Sequence, residues 1–158
     1  MKIRLHSAFL VVFVLLVASC NKESVTDAVY PVSVNAVEVE QELLGIVNVH
    51  RSSLGLPSLE FSIQAYEQAN LHTDYMIAKG DLSHDNFSAR ASSLAAKTNA
   101  KQVAENVAKD YPTAAKTFQG WLDSPNHKDT MEADFTHTAI SVKKDSNGTF
   151  FYTQLFYK

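Results

Sequence analysis

Two histidines and one glutamate have side chains and sequence settings that could support chemistry. His84 lies in the polar, turn-rich segment 82–86, and His127 lies in a second such segment, 124–128. Glu105 stands between them in an otherwise apolar stretch, so on burial its carboxylate would need a cation, a hydrogen-bond donor or a metal-bound group nearby. Imidazole nitrogens suit zinc, and an incomplete shell of two histidines would leave positions for water or a ligand.

The same three residues also have a purely structural interpretation. The spacing of His84, Glu105 and His127 along the chain matches no compact metal-binding motif. Each imidazole could hydrogen-bond a loop carbonyl while Glu105 caps a turn, and the residue types alone favour this interpretation. A metal or ligand site at these positions therefore needs support from the rest of the sequence.

The other polar candidates indicate packing or exposure. His72 shares a helical stripe with small and apolar residues, which is typical of a core histidine with one satisfied nitrogen. His137 begins a stretch of strand-like alternation, where we expect an exposed side chain. Ser83, Ser124 and Thr130 lie in no Gly-x-Ser-x-Gly elbow and no Ser-x-x-Lys pattern, which disfavours a serine nucleophile.

The N-terminus combines a basic start, an apolar run and a cysteine. Lys2 and Arg4 precede the apolar run 8–18, which is too short to span a membrane, and small residues come directly before Cys20. This pattern resembles the lipobox of bacterial lipoprotein signals, in which the cysteine carries the lipid and becomes the first residue of the mature protein. We therefore expect Cys20 to be lipidated and to anchor the protein to a membrane.

These features divide the chain into three parts: a lipoprotein signal peptide at 1–19, a tether at 20–37 and a folded domain at 38–158. Without its two basic residues in the signal, the chain has 12 basic side chains against 17 acidic ones, a net charge of −5. Such a domain should stand off from an anionic bilayer. We expect a lipid-anchored protein of the bacterial cell envelope, facing either the periplasm or the outside.

Composition excludes several classes of protein. A length of 158 residues fits one domain, and a single Cys can form neither an internal disulfide nor a zinc site of several thiolates. A mean hydropathy of −0.12 with 10% aromatic residues excludes a multi-span membrane protein and a disordered chain. The net charge of −3 offers no basic face for nucleic acid. We expect a monomer without a nucleic-acid partner.

Hydrophobic periodicity predicts helices first and a hairpin last. Apolar residues recur at steps of three and four over 38–54 and 62–79, with Ser62 as an N-cap and Gly80 as a stop for the second helix. The predicted elements are helices at 38–54, 62–79, 89–97 and 112–122, an extended piece at 102–108, and strands at 137–143 and 149–157 around a turn. This order predicts an α+β domain in which helices cover an antiparallel sheet.

Six short segments resemble, in order and spacing, the motifs of the CAP superfamily, which comprises the cysteine-rich secretory proteins, antigen 5 and the plant pathogenesis-related proteins. The matching segments are 47–59, 65–76, 83–84, 105–108, 121–127 and 153–156. The resemblance covers residues 40–158. The Trp-x-x-Ser-Pro-x-His form of the fifth segment is that of the bacterial members, which lack the eukaryotic disulfides.

The resemblance implies an α-β-α sandwich with a central antiparallel sheet and a cleft that holds two histidines and two acidic residues. It assigns His84 and His127 as the pair that binds zinc or another divalent metal in some members, and Glu105 as the first acid. The second acid falls at the position of Ser124, so the full set of four is absent and any metal site is weaker or differently completed. Asp123 is adjacent, but on a helix its side chain would point about 100° away.

Three functions are compatible with these residues. The first is a non-enzymatic binding module whose cleft takes a small-molecule, lipid or protein ligand. The second is a metal-dependent hydrolase of peptide or cell-envelope substrates, in which His84 and His127 hold zinc and Glu105 activates a bound water. The third is a structural envelope protein. Because Ser124 leaves a hydrolase without a general acid or further ligand, the binding module is favoured.

Overall fold

The structure, a computed structural model, describes residues 33–158. Its elements are α1 (Val37–Ser53), β1 (Glu60–Phe61), α2 (Ile63–Lys79), α3 (Phe87–Thr98), β2 (Val103–Lys109), α4 (Ala114–Leu122), α5 (Pro125–Glu132), β3 (His137–Lys144) and β4 (Phe150–Tyr157). The predicted signal peptide, Cys20 and most of the predicted tether lie outside the described residues. None of the described helices combines the length and the apolar character needed to cross a membrane.

Four strands form one sheet in the order β1-β3-β4-β2. β3 and β4 pair antiparallel with His137 opposite Tyr157, and β2 pairs antiparallel with β4 with Glu105 opposite Leu155. The two-residue strand β1, which the sequence did not predict, pairs parallel with β3. β2 is therefore an edge strand, and its successive side chains point to opposite faces of the sheet.

Helices cover both faces of the sheet. α1, α4 and α5 lie on one face, and α2 and α3 lie on the other. The buried apolar side chains of the first face include Leu43, Val47, Trp121, Met131, Val142, Tyr152 and Phe156. Those of the second face include Ala65, Ala69, Leu94, Ala139 and Leu155. This arrangement confirms the predicted α+β fold and its α-β-α layers.

α2 follows closely from its local sequence. Ser62 is the N-cap, and its side chain accepts a hydrogen bond from the backbone N–H of Ala65. Gly80 ends the helix in the left-handed conformation at φ 76°, which a glycine adopts without steric cost. The predicted stripe is fully buried and consists of Ala65, Ala69, His72 and Met76. Its small residues let α2 pack closely on β3 and β4, and this places His72 beside the sheet.

The segment around the fifth motif differs from its prediction. α4 begins after Thr113, whose side chain accepts a backbone N–H, so Pro112 precedes the helix instead of opening it. The segment 124–126 lies beyond the predicted end of this helix, and in the structure α5 begins there. Pro125 fits the first helical position because no N–H is needed there. The extra helix carries His127.

Candidate functional site

Glu105 is the centre of a buried ion-pair network on the α2–α3 face of the edge strand β2. Its side chain is 1% exposed. The Arg90 guanidinium of α3 donates from Nε to Oε2 at 2.9 Å and from Nη2 to Oε1 at 2.8 Å. This is the bidentate geometry of a strong, charge-assisted pair. Nδ1 of His84 lies 2.9 Å from Oε1, so the structure brings His84 and Glu105 together and adds an arginine.

The pKa of Glu105 lies below its ordinary value although the carboxyl group is buried. Burial by itself raises a carboxyl pKa. The hydrogen bonds from His84 and Arg90, together with the charges of His72 and Arg90, outweigh this effect. Glu105 is therefore an ionised acceptor with both oxygens engaged, whereas a general base works best with a pKa near the operating pH.

His72 is a core residue that supports the loop before α3. Its Nε2 donates to the backbone oxygen of Ser83 at 2.7 Å and lies 3.7 Å from Oε1 of Glu105. Its Nδ1 is buried without a hydrogen-bond partner, and burial lowers the pKa of the ring. These contacts confirm the prediction of a core histidine with one satisfied nitrogen, and they hold Ser83 next to His84.

His84 presents its second ring nitrogen away from the ion-pair network. Its side chain is 53% exposed, and Nδ1 is the nitrogen that faces Glu105. An ionised carboxylate can only accept, so in the neutral ring Nδ1 carries the proton and Nε2 keeps a lone pair. Nε2 of His84 can therefore accept a hydrogen bond from a ligand or bind a metal ion.

His127 reaches β2 from the other face of the sheet. Asn106 follows Glu105 on β2 and points to that face, where its Nδ2 donates to the backbone oxygen of His127 at 3.0 Å. Nδ1 of His127 lies 2.8 Å from Oγ of Ser124, the residue that precedes α5. Burial and, second, the charge of His84 lower the pKa of His127.

A groove of about 230 Å³ opens beside this network and is called the β2 groove below. Its lining consists of His84, Phe87, Val103, Ala104 and Glu105. Three of the five lining residues are apolar, the Glu105 side chain is almost fully buried, and the half-exposed His84 imidazole is the accessible polar group. Ser124 and His127 are not part of this lining.

The donor set for a metal ion is incomplete in the part of the chain that the structure describes. No three His, Cys, Asp or Glu side chains are arranged there to hold one, whereas a catalytic zinc takes three protein ligands and a structural zinc takes four. Both oxygens of Glu105 are engaged by Arg90. These residues do not fit a catalytic or structural zinc centre, and binding of a divalent metal by His84 and His127 alone stays a prediction.

Arg90 is the site residue that the sequence analysis missed. It is 8% exposed and lies four residues before the fully buried Leu94, on the same side of α3. One signal in the sequence could have identified it. An arginine in the buried stripe of a predicted helix is a candidate partner for a glutamate that needs a cation. The carboxylate was expected to need such a partner, but the sequence did not say which residue supplies it.

Two further histidines lie away from the β2 groove. Nε2 of His50 is 2.8 Å from Oε1 of Glu132, which joins α1 to α5. The His137 ring stacks on Tyr157 with ring centroids 4.8 Å apart, and its side chain is 36% exposed. Both side chains have local structural partners and neither lines the groove.

The comparisons with known proteins agree with this architecture. The model of the cysteine-rich secretory protein family, CAP, matches residues 44–156. The chain is also 30% identical over 125 residues to the "Uncharacterized membrane protein YlbC" of Bacillus subtilis, an alignment that covers 75% of this chain and 34% of that protein. The chain therefore spans about a third of the length of that relative.

Solved structures show the same fold. An outer surface protein from Borrelia burgdorferi matches with a TM-score of 0.72 and 19% identity, over 80% of this chain and 96% of that one. An extracellular protein from Bacillus anthracis that contains an SCP domain matches with a TM-score of 0.66 and 25% identity, over 77% of this chain and 41% of that one. Because the family model matches most of the chain, the chain belongs to the CAP family of cysteine-rich secretory proteins.

Proposed function

We propose that this CAP domain is a membrane-anchored binding module of the bacterial cell envelope, and that its β2 groove takes a ligand without converting it chemically. The ligand is a small molecule, a lipid or a segment of another protein. His84 supplies the exposed polar contact of the groove. His127 lies outside the groove lining and would take part through a divalent metal ion shared with His84. The observation that carries this proposal is the full engagement of the Glu105 carboxylate.

The engagement of Glu105 gives the carboxylate a positioning role. Arg90 occupies both oxygens, so a water molecule or substrate proton would have to compete with a bidentate ion pair. The remaining interaction of Oε1 orients the His84 ring and fixes the tautomer that leaves Nε2 available. A preorganised acceptor beside a small, mostly apolar groove suits recognition of a donor group on a ligand.

The proposed location is supported by the lipobox-like pattern that ends at Cys20. The B. subtilis relative is described as a membrane protein and the B. anthracis structure as an extracellular protein. A lipid on Cys20 with the domain outside the cytoplasm would account for both the N-terminal pattern and these relatives. We predict that Cys20→Ala releases the protein from the membrane fraction or blocks its maturation. Unchanged fractionation and unchanged incorporation of labelled fatty acid would exclude the anchor.

A photo-crosslinking experiment tests the groove in its natural setting. The full chain is expressed in bacteria with p-benzoylphenylalanine in place of Phe87, which lines the groove, or in place of Leu71, which is 64% exposed on α2. Irradiation of intact cells should yield a discrete adduct from position 87 and none from position 71. The adduct should disappear in the double variant His84→Ala, His127→Ala.

The same double variant separates binding from hydrolysis. A matched control, His137→Ala, removes an imidazole that has no contact with the groove and should leave the adduct intact. Equal adducts from positions 87 and 71, or an adduct that survives the double variant, would contradict the groove assignment.

Cleaved envelope peptide that accumulates with the wild type but not with the double variant would instead support the metal-dependent hydrolase. Zinc-dependent thermal stabilisation lost in the double variant would establish the predicted metal pair.

A further inference from the structure

A second cavity lies at the opposite edge of the sheet, where β1 pairs with β3. It has a volume of about 410 Å³, within the range of small-molecule sites. Its lining consists of Val37, Glu40, Gln41, Leu44, Phe61, Tyr66 and Ile140. We call it the Glu40 pocket. It shares no lining residue with the β2 groove, which the proposed function uses.

The Glu40 carboxylate is buried in this pocket and bonded by neutral donors. Its residue is 7% exposed. Oε1 accepts from the backbone N–H of Val142 at 2.8 Å and from Nδ2 of Asn35, and Oε2 accepts from the Tyr66 hydroxyl at 2.8 Å. Three bonds received by two oxygens identify the group as an acceptor.

No cation neutralises Glu40 among residues 33–158. The ion pairs in this part of the structure involve other carboxylates, among them Glu105, which pairs with Arg90, and Asp74, which pairs with Lys143. Glu40 lies in the first turn of α1, where the positive end of the helix dipole stabilises a carboxylate. This partial compensation lets the site persist without a counter-charge, and Glu40 still lines the pocket without a cation beside it.

The rest of the pocket supplies apolar and aromatic surface. The Phe61 and Tyr66 rings lie with centroids 5.6 Å apart at an interplanar angle of 57°. Phe61 is 56% exposed and Val37 is 48% exposed, so the apolar walls reach the surface. Aromatic faces attract ammonium groups, and aliphatic walls accept a hydrocarbon.

We propose that the Glu40 pocket binds a small organic ammonium ion, an amine cation carried on a short hydrocarbon. The ammonium group lies against the Glu40 carboxylate and the Tyr66 oxygen, beside the aromatic rings. The hydrocarbon packs on the aliphatic wall formed by Val37, Leu44 and Ile140. Neutral and anionic analogues of the same shape lack the positive charge that would compensate the Glu40 carboxylate, and they therefore bind more weakly.

The test compares three probes of one shape by NMR titration of the full chain purified in detergent. The probes are 2-phenylethylammonium, the neutral 2-phenylethanol and the anionic phenylacetate. We expect the ammonium to bind about tenfold more tightly than the alcohol, which corresponds to one desolvated charge contact, and phenylacetate not to bind. The ammonium should shift the signals of Phe61 and Tyr66. Equal affinity for ammonium and alcohol would overturn the proposal.

Variants locate the binding and control for the detergent. Glu40→Gln should reduce the affinity for the ammonium to that for the alcohol, and Phe61→Ala should weaken it about threefold or more. Leu71→Ala removes another exposed apolar side chain elsewhere on the surface and should change nothing. Binding that is the same in all variants would indicate partitioning into micelles and would overturn the proposal.

The β2 groove serves as the internal reference. The double variant His84→Ala, His127→Ala should bind 2-phenylethylammonium like the wild type, whatever the outcome of the crosslinking experiment. Loss of binding in that variant, with binding retained in Glu40→Gln, would place the ammonium at the other site and contradict this assignment. If Glu40→Gln does not fold, Phe61→Ala still decides, because this exposed side chain lies outside the buried core.

Discussion

Two buried glutamates, at opposite edges of one sheet, are stabilised in different ways. Glu105 on β2 has a guanidinium on both oxygens and an imidazole on one of them. Glu40 on α1 receives only neutral donors: a backbone N–H, an amide and a phenol. The first carboxylate is neutralised within the protein, whereas the second keeps its charge towards a cavity.

This difference separates a group that positions others from a group that can bind. A carboxylate held by arginine orients His84 and is poorly placed to take a proton or a cation from a ligand. A carboxylate held by neutral dipoles and a helix N-terminus still attracts a cation. The same residue type therefore supports recognition by an imidazole at one edge and recognition of an ammonium at the other. Glutamine has nearly the shape of glutamate but no charge, so replacing each glutamate by glutamine distinguishes these two roles.

The largest expected effect comes from Glu105→Gln. The amide would place an N–H₂ group against the Arg90 donors and leave the buried guanidinium without a counter-charge. Breaking one partner of a buried pair costs about 3–5 kcal/mol, so we expect the free energy of unfolding in urea to fall by about that amount. The double variant Glu105→Gln, Arg90→Met should recover part of the loss. A loss below about 1 kcal/mol, the range of exposed ion pairs, would show that the network is not a structural unit.

The sequence predicted elements whose signals are local and missed partners that are distant. Ser62, the small-residue stripe and Gly80 lie within one helix, and they defined α2 and the burial of His72. The need of Glu105 for a cation was also predictable, because most of the residues around it on β2 are apolar. Arg90 as the cation was not, since its contact depends on how α3 packs against β2.

The role of Glu40 could not be inferred from the periodicity of α1. Glu40 lies three residues before Leu43 and seven before Val47, on the buried side of α1, but the periodicity does not identify a partner for its carboxylate. In the fold, it receives the backbone N–H of Val142, 102 residues further along the chain. A helical pattern indicates which face is apolar, but it does not show that a buried polar residue on that face accepts a hydrogen bond from the backbone N–H of a distant strand. The pocket it lines was therefore found only in three dimensions.

A smaller effect is expected from Glu40→Gln. The glutamine can keep one oxygen for Val142 and Asn35 and can donate its amide to the Tyr66 oxygen, so each hydrogen bond has a neutral replacement. We expect a loss of about 1 kcal/mol in the free energy of unfolding, the typical net worth of a hydrogen bond. Urea unfolding of Glu40→Gln and Glu105→Gln under identical conditions measures the contrast. Equal losses in the two variants would remove the distinction between a neutralised and an unneutralised glutamate.

The smallest effect, and the one most specific to the Glu40 pocket, depends on pH and on Tyr66. Burial, followed by the hydrogen bond to Glu40 and its charge, raises the pKa of Tyr66 to about 12, from an ordinary 10.0. A raised pKa means that the folded state holds the proton more tightly than the unfolded state does. The resulting stabilisation is therefore complete below pH 10 and is lost as the pH rises to about 12.

Tyr66→Phe removes both the hydrogen bond and this titration. At pH 7 we expect the variant to be less stable than the wild type by about 1 kcal/mol or less, because the side chain is partly exposed and water can replace the bond. Between pH 10 and 12 the difference should shrink, since only the wild type loses stability through Tyr66. Burial also raises the pKa of Tyr152, but that residue is common to both proteins and cancels in the difference. Unfolding curves of the two proteins across this pH range measure the effect. A difference that stays constant would show that folding does not raise the pKa of Tyr66, and would contradict its hydrogen bond to Glu40.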